Sequence, residues 1–110
     1  MNIQFKDKDI EELCNTDKVA RKQLGAICAK KLRQRLDMLR AAANLDTLRS
    51  LPGRCHELKG DRKGQLSLDL EHPLRLIFEC IGEEIYKEDT GLDWKLVTTV
   101  KILGMEDTHE

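Results

Sequence analysis

The residues of this chain that could do chemistry gather in one run, Arg54-Cys55-His56-Glu57-Leu58-Lys59-Gly60-Asp61-Arg62-Lys63-Gly64. Arg54, His56, Lys59, Arg62 and Lys63 surround two glycines, and the alternating Gln65-Leu66-Ser67-Leu68 follows. Gly60 and Gly64 lie between apparent strands and read as turn residues with positive φ. A strand-turn-strand that exposes basic side chains beside a histidine is suited to gripping a phosphate backbone. Cleaving such a backbone in RNA without a metal takes three kinds of group. One removes the proton of the 2′-hydroxyl, one protonates the leaving 5′-oxygen, and cations stabilise the phosphate as it becomes pentacoordinate. Histidine suits the first two roles because it titrates near neutrality. Arginine and lysine suit the third.

Arg75 stands apart from that run, mid-strand between Leu74 and Leu76 and on the face opposite an apolar stripe. A charge at the centre of a sheet needs a partner or a ligand. Two readings stay open: an ion pair across the sheet to Glu57 or Asp69, or a contact to a phosphate. His56 also reads as a surface histidine beside a basic turn. His109, the penultimate residue, is either a site residue or frayed tail. His72, between Glu71 and Pro73, reads as part of a turn. The chain has no H-E-x-x-H, no paired carboxylates at metal spacing and no Gly-rich phosphate loop, so neither metal nor cofactor is expected.

The elements that must position these residues fall into two halves. Asn2–Phe5 alternates as a short strand, and Lys8–Cys14 reads as a turn or two of helix. Asn15-Thr16-Asp17 supplies capping chemistry for one long helix. Along it Val19, Ala20, Leu24, Ile27, Cys28, Leu32, Leu36, Leu39 and Ala43 keep one apolar stripe, with Lys18, Lys22, Lys30, Arg33 and Arg40 largely off it. Leu45–Leu51 reads as a further short helix that Pro52-Gly53 ends. The second half reads as sheet. Leu66, Leu68 and Leu70 share one face of a strand, and Leu74, Leu76, Phe78 and Cys80 share one face of the next, opposite Arg75, Ile77 and Glu79. Gly82–Asp93 is acidic and reads as a protruding hairpin tip or loop, and Trp94–Leu103 as the last strand. Helices first and strands later is the α+β pattern.

Composition bounds the rest. At 110 residues, 40% hydrophobic and 35% charged, the chain reads as one domain over residues 1–110. It has no run of ~18 apolar residues and no charged-then-apolar amino terminus, so neither a membrane span nor a secretory signal is expected. Cys14, Cys28, Cys55 and Cys80 form no C-x-x-C and read as reduced thiols of a cytoplasmic protein. The net charge of −1 hides an asymmetry. Lys/Arg number two against five acids over residues 1–17, thirteen against four over 18–63, and four against eleven over 64–110. The basic middle is a footprint for nucleic acid, or in its helical part the solvated side of a helix.

The 54–68 segment resembles the central hairpin of HigB-type toxins, in the RelE/ParE superfamily of bacterial toxin–antitoxin systems. The resemblance continues in Leu74-Arg75-Leu76-Ile77-Phe78-Glu79 and in Val100–His109, in the order the family uses. It implies N-terminal helices packed on a curved antiparallel sheet of four to five strands. It implies a type II toxin that cuts mRNA in the ribosomal decoding site and is neutralised by a cognate helix-turn-helix antitoxin of the HigA kind, with DNA met only through that complex. It makes His56 and His109 the proton-transfer groups, Arg75 and Lys59 the charge stabilisers and Asp107 an orienting acid. Arg54, Arg62 and Lys63 are the expected RNA-binding cations. Departures are Thr108, where the Asp-Tyr-His signature of the family has its aromatic, Leu66 in place of a usual tryptophan, and a longer acidic segment. The same fold also carries ParE-like toxins that bind DNA gyrase and cleave no RNA. That alternative, and an inactive antitoxin-binding relic, stay open on sequence alone.

Overall fold

The computed structural model describes residues 1–88 and 91–107. It begins with a strand, β1 (Asn2–Phe5), and three helices, α1 (Lys8–Asn15), α2 (Asp17–Leu24) and α3 (Ala26–Ala41). Asp7 caps α1 by accepting from the Ile10 amide at 2.9 Å. The one long helix expected from residue 17 onward is two helices. Gly25, at φ 86° and ψ 162°, breaks it, and only glycine holds that conformation without strain. Its amide still closes α2 on the Arg21 carbonyl, and its own carbonyl accepts from Ala29 to open α3. The apolar stripe survives the break: Ala20 on α2 and Cys28, Leu32, Leu36 and Leu39 on α3 are all buried. The Met1 ammonium donates to the carbonyls of Leu39, Arg40 and Ala42 at the end of α3, where the helix dipole favours a cation. A 3-10 turn over Leu45–Ser50 follows.

The sheet is built from β1, β2 (His56–Glu57), β3 (Gln65–Asp69), β4 (Leu74–Cys80) and β7 (Thr99–Asp107), in the order β1-β7-β4-β3-β2. Three of its four pairings are antiparallel, as expected; β1 runs parallel to β7 at the edge. Between β4 and β7 lies a small hairpin, β5 (Tyr86–Lys87) and β6 (Gly91–Leu92). This is the acidic segment expected to protrude. It is anchored rather than loose, because Ile85 and Leu92 are buried in the core.

The last strand starts later and runs further than Trp94–Leu103. Trp94–Leu96 is a 3-10 turn that buries Trp94, and β7 continues to Asp107. Ile102 pairs with Phe78 and Gly104 with Ile77, so Leu103 is an extra residue, a bulge. A bulge keeps the strand in the sheet but reverses which face its later residues occupy.

One face of the sheet carries Leu66, Leu68, Leu76, Phe78, Val100 and Ile102, all wholly buried against the helices. Each such side chain taken out of water contributes about 1.5–3 kcal/mol. This face holds the strands rigid, and the other face is where the candidate residues stand. Among the described residues no helix is long and apolar enough to cross a membrane.

Candidate active face

Register decides which side chains share the open face. His56 on β2 stands opposite Ser67 on β3, which stands opposite Ile77 on β4, which stands opposite Gly104 on β7. One row along, Asp69, Arg75 and Glu106 form a second line across β3, β4 and β7. His56 and Arg75 therefore share a face, two strands and two residues apart, which is about 12 Å between Cα atoms at ordinary sheet spacings. Two long side chains can converge over that gap on one ligand.

The backbone poses His56 chemically. Its Nδ1 lies 2.9 Å from the Arg54 carbonyl oxygen, which can only accept. In the neutral ring Nδ1 therefore carries the proton and Nε2 is the basic nitrogen. Arg54 bends the chain here at φ 52°, the only described residue other than glycine with positive φ. Its side chain reaches Asp69 at 3.3 Å. Cys55, next to His56, faces the other way into the core. Burial pushes its thiol up to about 12, so it offers no nucleophile at neutral pH.

Of the two readings of Arg75, the ion pair is present, and Asp69 is the partner. Nε lies 3.4 Å from Asp69 Oδ1, and the side chain is only 14% exposed. That contact is an ion pair without hydrogen-bond alignment, since Oδ1 is buried and accepts no hydrogen bond from the described residues. Asp69 thus holds two arginines, Arg54 through Oδ2 and Arg75 through Oδ1. Glu57, the other acid considered for Arg75, lies on the helix side and accepts from Trp94 Nε1 at 3.1 Å.

The basic loop between β2 and β3 folds back over the sheet. Leu58 donates to the Gln65 carbonyl, and Gly60 and Gly64 take φ of 75° and 81°, as turn glycines should. Lys59 lies exposed at the start of the loop. Arg62 crosses the face, with Nε donating to Gln65 Oε1 at 2.9 Å and its two terminal nitrogens to Glu106 at 3.1 and 2.7 Å. Lys63 sits 4.7 Å above the Tyr86 ring, and a Cβ on Gly64 would meet the Tyr86 hydroxyl at 2.6 Å. The positive φ is what calls for glycine there, since the far end of the exposed Tyr86 side chain can give way.

At the C-terminal end, Glu106 rather than Asp107 aligns with Arg75; Asp107 aligns with Leu74. Strict alternation from Lys101 would bring Asp107 to the open face, and the Leu103 bulge reverses that. His109 and Thr108 lie outside the described residues. The structure thus gathers His56, Arg75, Arg54 and Arg62 on one face, with Lys59 in the adjoining loop. Sequence reading missed Asp69 as the shared anchor, Glu106 as the partner of Arg62, and the buried Arg35. Arg35 donates to the Asp69 carbonyl at 2.8 Å from beneath Gly53. Among the described residues no group of three His, Cys, Asp or Glu is placed to hold a metal. A cleft of about 590 Å³ between α3 and the 3-10 turn is bordered by none of the candidate residues.

The chain matches the family described as the RelE-like toxin of the type II toxin–antitoxin system HigB, over residues 3–95. It belongs to the HigB-like toxin family. The α+β fold, with helices preceding most strands of a five-stranded sheet, agrees with that membership. A toxin of a type II system has a protein antitoxin as its partner. The match covers the basic loop and Arg75 and stops before β7, so it does not reach Asp107 or His109. No curated protein matches the chain.

Proposed function

We propose that this HigB-like toxin is a metal-independent endoribonuclease that cuts mRNA at the ribosome and is silenced by a HigA-like helix-turn-helix antitoxin. The observation that carries the reading is the pairing, on one open sheet face, of a histidine with a basic Nε2 and a nearly buried arginine. His56 Nε2 can take the 2′-hydroxyl proton. The 2′-oxygen then attacks phosphorus in line, the bond to the 5′-oxygen breaks, and a 2′,3′-cyclic phosphate remains. Arg75 and Lys59 stabilise the charge that gathers on the phosphate, and fixed donors do this without reorganising as the charge develops. His109 would protonate the leaving oxygen, or exchange roles with His56. Arg54, Arg62 and Lys63 would hold the flanking phosphates. Contact with DNA would come only through the antitoxin complex.

The test is brief expression followed by mapping of mRNA 5′ ends. Cuts within the codons of translated messages, with untranslated RNA spared, are expected. Intact mRNA together with trapped gyrase–DNA complexes would establish gyrase inhibition in its place. Intact mRNA with no such complexes, in a protein that still binds its antitoxin, would mark an inactive relic.

A further inference from the structure

Arg62 does more in this fold than decorate a turn. Its anchors, Gln65 on β3 and Glu106 on β7, lie on opposite sides of β4 and at different levels. Gln65 aligns with Glu79, and Glu106 aligns with Arg75. The line between them crosses β4 at Ile77, the middle of the open face. Ser67 and Ile77, in that middle row, are wholly buried although they point away from the helices. The Arg62–Glu106 pair is thus a strap over the candidate active face, and Glu106 stands in the same row as Arg75.

The two terminal nitrogens of a guanidinium grip a carboxylate and a phosphate with the same two-pronged geometry, so while they hold Glu106 they cannot hold a phosphate in that way. Arg62 is 30% and Glu106 46% exposed, so an incoming phosphate can reach the pair. Resting on the RNA-cleaving reading above, we propose that Glu106 is a specificity-determining residue. Its carboxylate occupies Arg62 in the free toxin and gives way to a backbone phosphate when RNA binds. RNA that arrives with few other contacts does not repay the broken pair, whereas RNA held in place by a larger partner does. Glu106 thereby biases the toxin against free RNA.

The experiment measures binding of a single-stranded oligonucleotide, with deoxyribose at every position so that it cannot be cut, across a salt series. Glu106→Gln keeps the shape and removes the competing charge. It should bind about three- to tenfold more tightly than the natural chain, the scale of one two-pronged, part-exposed pair. Its salt dependence should also be steeper. Where the natural chain keeps Arg62 on Glu106, the variant gains one phosphate contact, which should add up to about 0.7 to the slope of log affinity against log salt. Arg62→Ala should erase both differences, so that Arg62→Ala and the double variant behave alike. A structural role for the pair would shift melting temperature without touching the salt slope. Should Glu106→Gln not fold, Glu106→Thr, a strand former at an exposed strand position, is expected to give the same two changes. Equal or weaker binding with an unchanged slope, in proteins that do bind, overturns the competitor role and leaves the RNA reading standing. No binding by any folded variant, the Glu106 variants included, overturns the competitor role, while the RNA reading stands or falls on the mapped mRNA ends.

Discussion

The two faces of one sheet are built on opposite terms. Toward the helices, Leu66, Leu68, Leu76, Phe78 and Ile102 lie side by side, wholly buried. On the other side of the same three strands stand Asp69, Arg75 and Glu106, with Asp69 ion-paired to Arg75 and Glu106 to Arg62 of the basic loop. Apolar packing tolerates no missing volume, because neighbours relax only in part around a cavity. Ion pairs that are partly exposed contribute little to stability and can exchange partners. The covered face therefore fixes the geometry, and the open face is free to spend its charges on a ligand. Cys55 and His56 show the boundary within one peptide bond: the thiol is pushed up to about 12 by burial, while its neighbour stands on the open side.

The comparison breaks most visibly if a residue of each face is cut back. Phe78→Ala should cost about 3–5 kcal/mol of stability, a fall of more than ~12 °C in melting temperature, and toxicity should fall with the folded fraction. Arg75→Ala should do the reverse. Activity should drop by about 10²–10³ in rate, or ~3–4 kcal/mol of barrier, as for loss of a group that stabilises developing charge. Its stability should fall by less, about 1–3 kcal/mol, because the buried Asp69 Oδ1 loses its ion-pair partner while Oδ2 keeps Arg54. Thermal melts and cleavage assays on the same preparations check both. A melting drop for Arg75→Ala as large as that for Phe78→Ala would make Arg75 a structural residue and erase the distinction between the faces.

How far this was legible in the sequence follows from which interactions are local. The alternation of Leu66, Leu68 and Leu70, and of Leu74, Leu76 and Phe78, is a property of neighbours, and it placed both the strands and their buried face. Arg75 was visible as a charge facing away from that stripe. The choice between Asp69 and Glu57 was not visible, because it depends on the β2–β3–β4 register. The break at Gly25 was hidden for a different reason: Leu24 and Cys28 lie four apart, so the helical stripe runs through the interruption unchanged. The parallel docking of β1 on β7 joins residues nearly a hundred positions apart. The bulge at Leu103 is the costliest of these omissions, because a single extra residue puts Glu106 in place of Met105 opposite Arg75 and turns Asp107 off the open face. The proposed role of His109 gains nothing either way, as that residue lies outside the described residues.

A smaller effect sharpens the comparison at the seam between the faces. Gly53 has φ 112°, and a Cβ there would meet Arg35 Nε at 2.8 Å and Leu68 at 3.1 Å. Arg35 comes from the helix layer and holds the Asp69 carbonyl, and Asp69 in turn holds Arg75. Gly53→Ala should cost about 1–3 kcal/mol through backbone strain and displacement of Arg35. Because the displacement passes along that chain to Arg75, cleavage by the folded fraction should fall as well. If the melting temperature falls while cleavage per folded molecule holds, the two faces are uncoupled at this seam.

The last effect comes from the thiols of the covered side and appears only in alkali. Burial raises Cys55 and Cys80 from the ordinary 9.0 to about 12, and Cys14 to about 11. In each case the folded chain binds its proton more tightly than the unfolded chain does. Below pH 9 all three are protonated in both states, and their contribution to stability is fully present. As pH rises from about 9 toward 12 the unfolded chain ionises first, so stability is lost through that window. Denaturant melts at pH 8, 9, 10 and 11 should show this loss. Cys55→Ala should remove its own share of that loss, leaving those of Cys80 and Cys14, while lowering stability at pH 8 by the small volume removed. An alkaline fall that Cys55→Ala leaves untouched would mean that the Cys55 thiol is not held in the core, and would move β2 out of the covered layer.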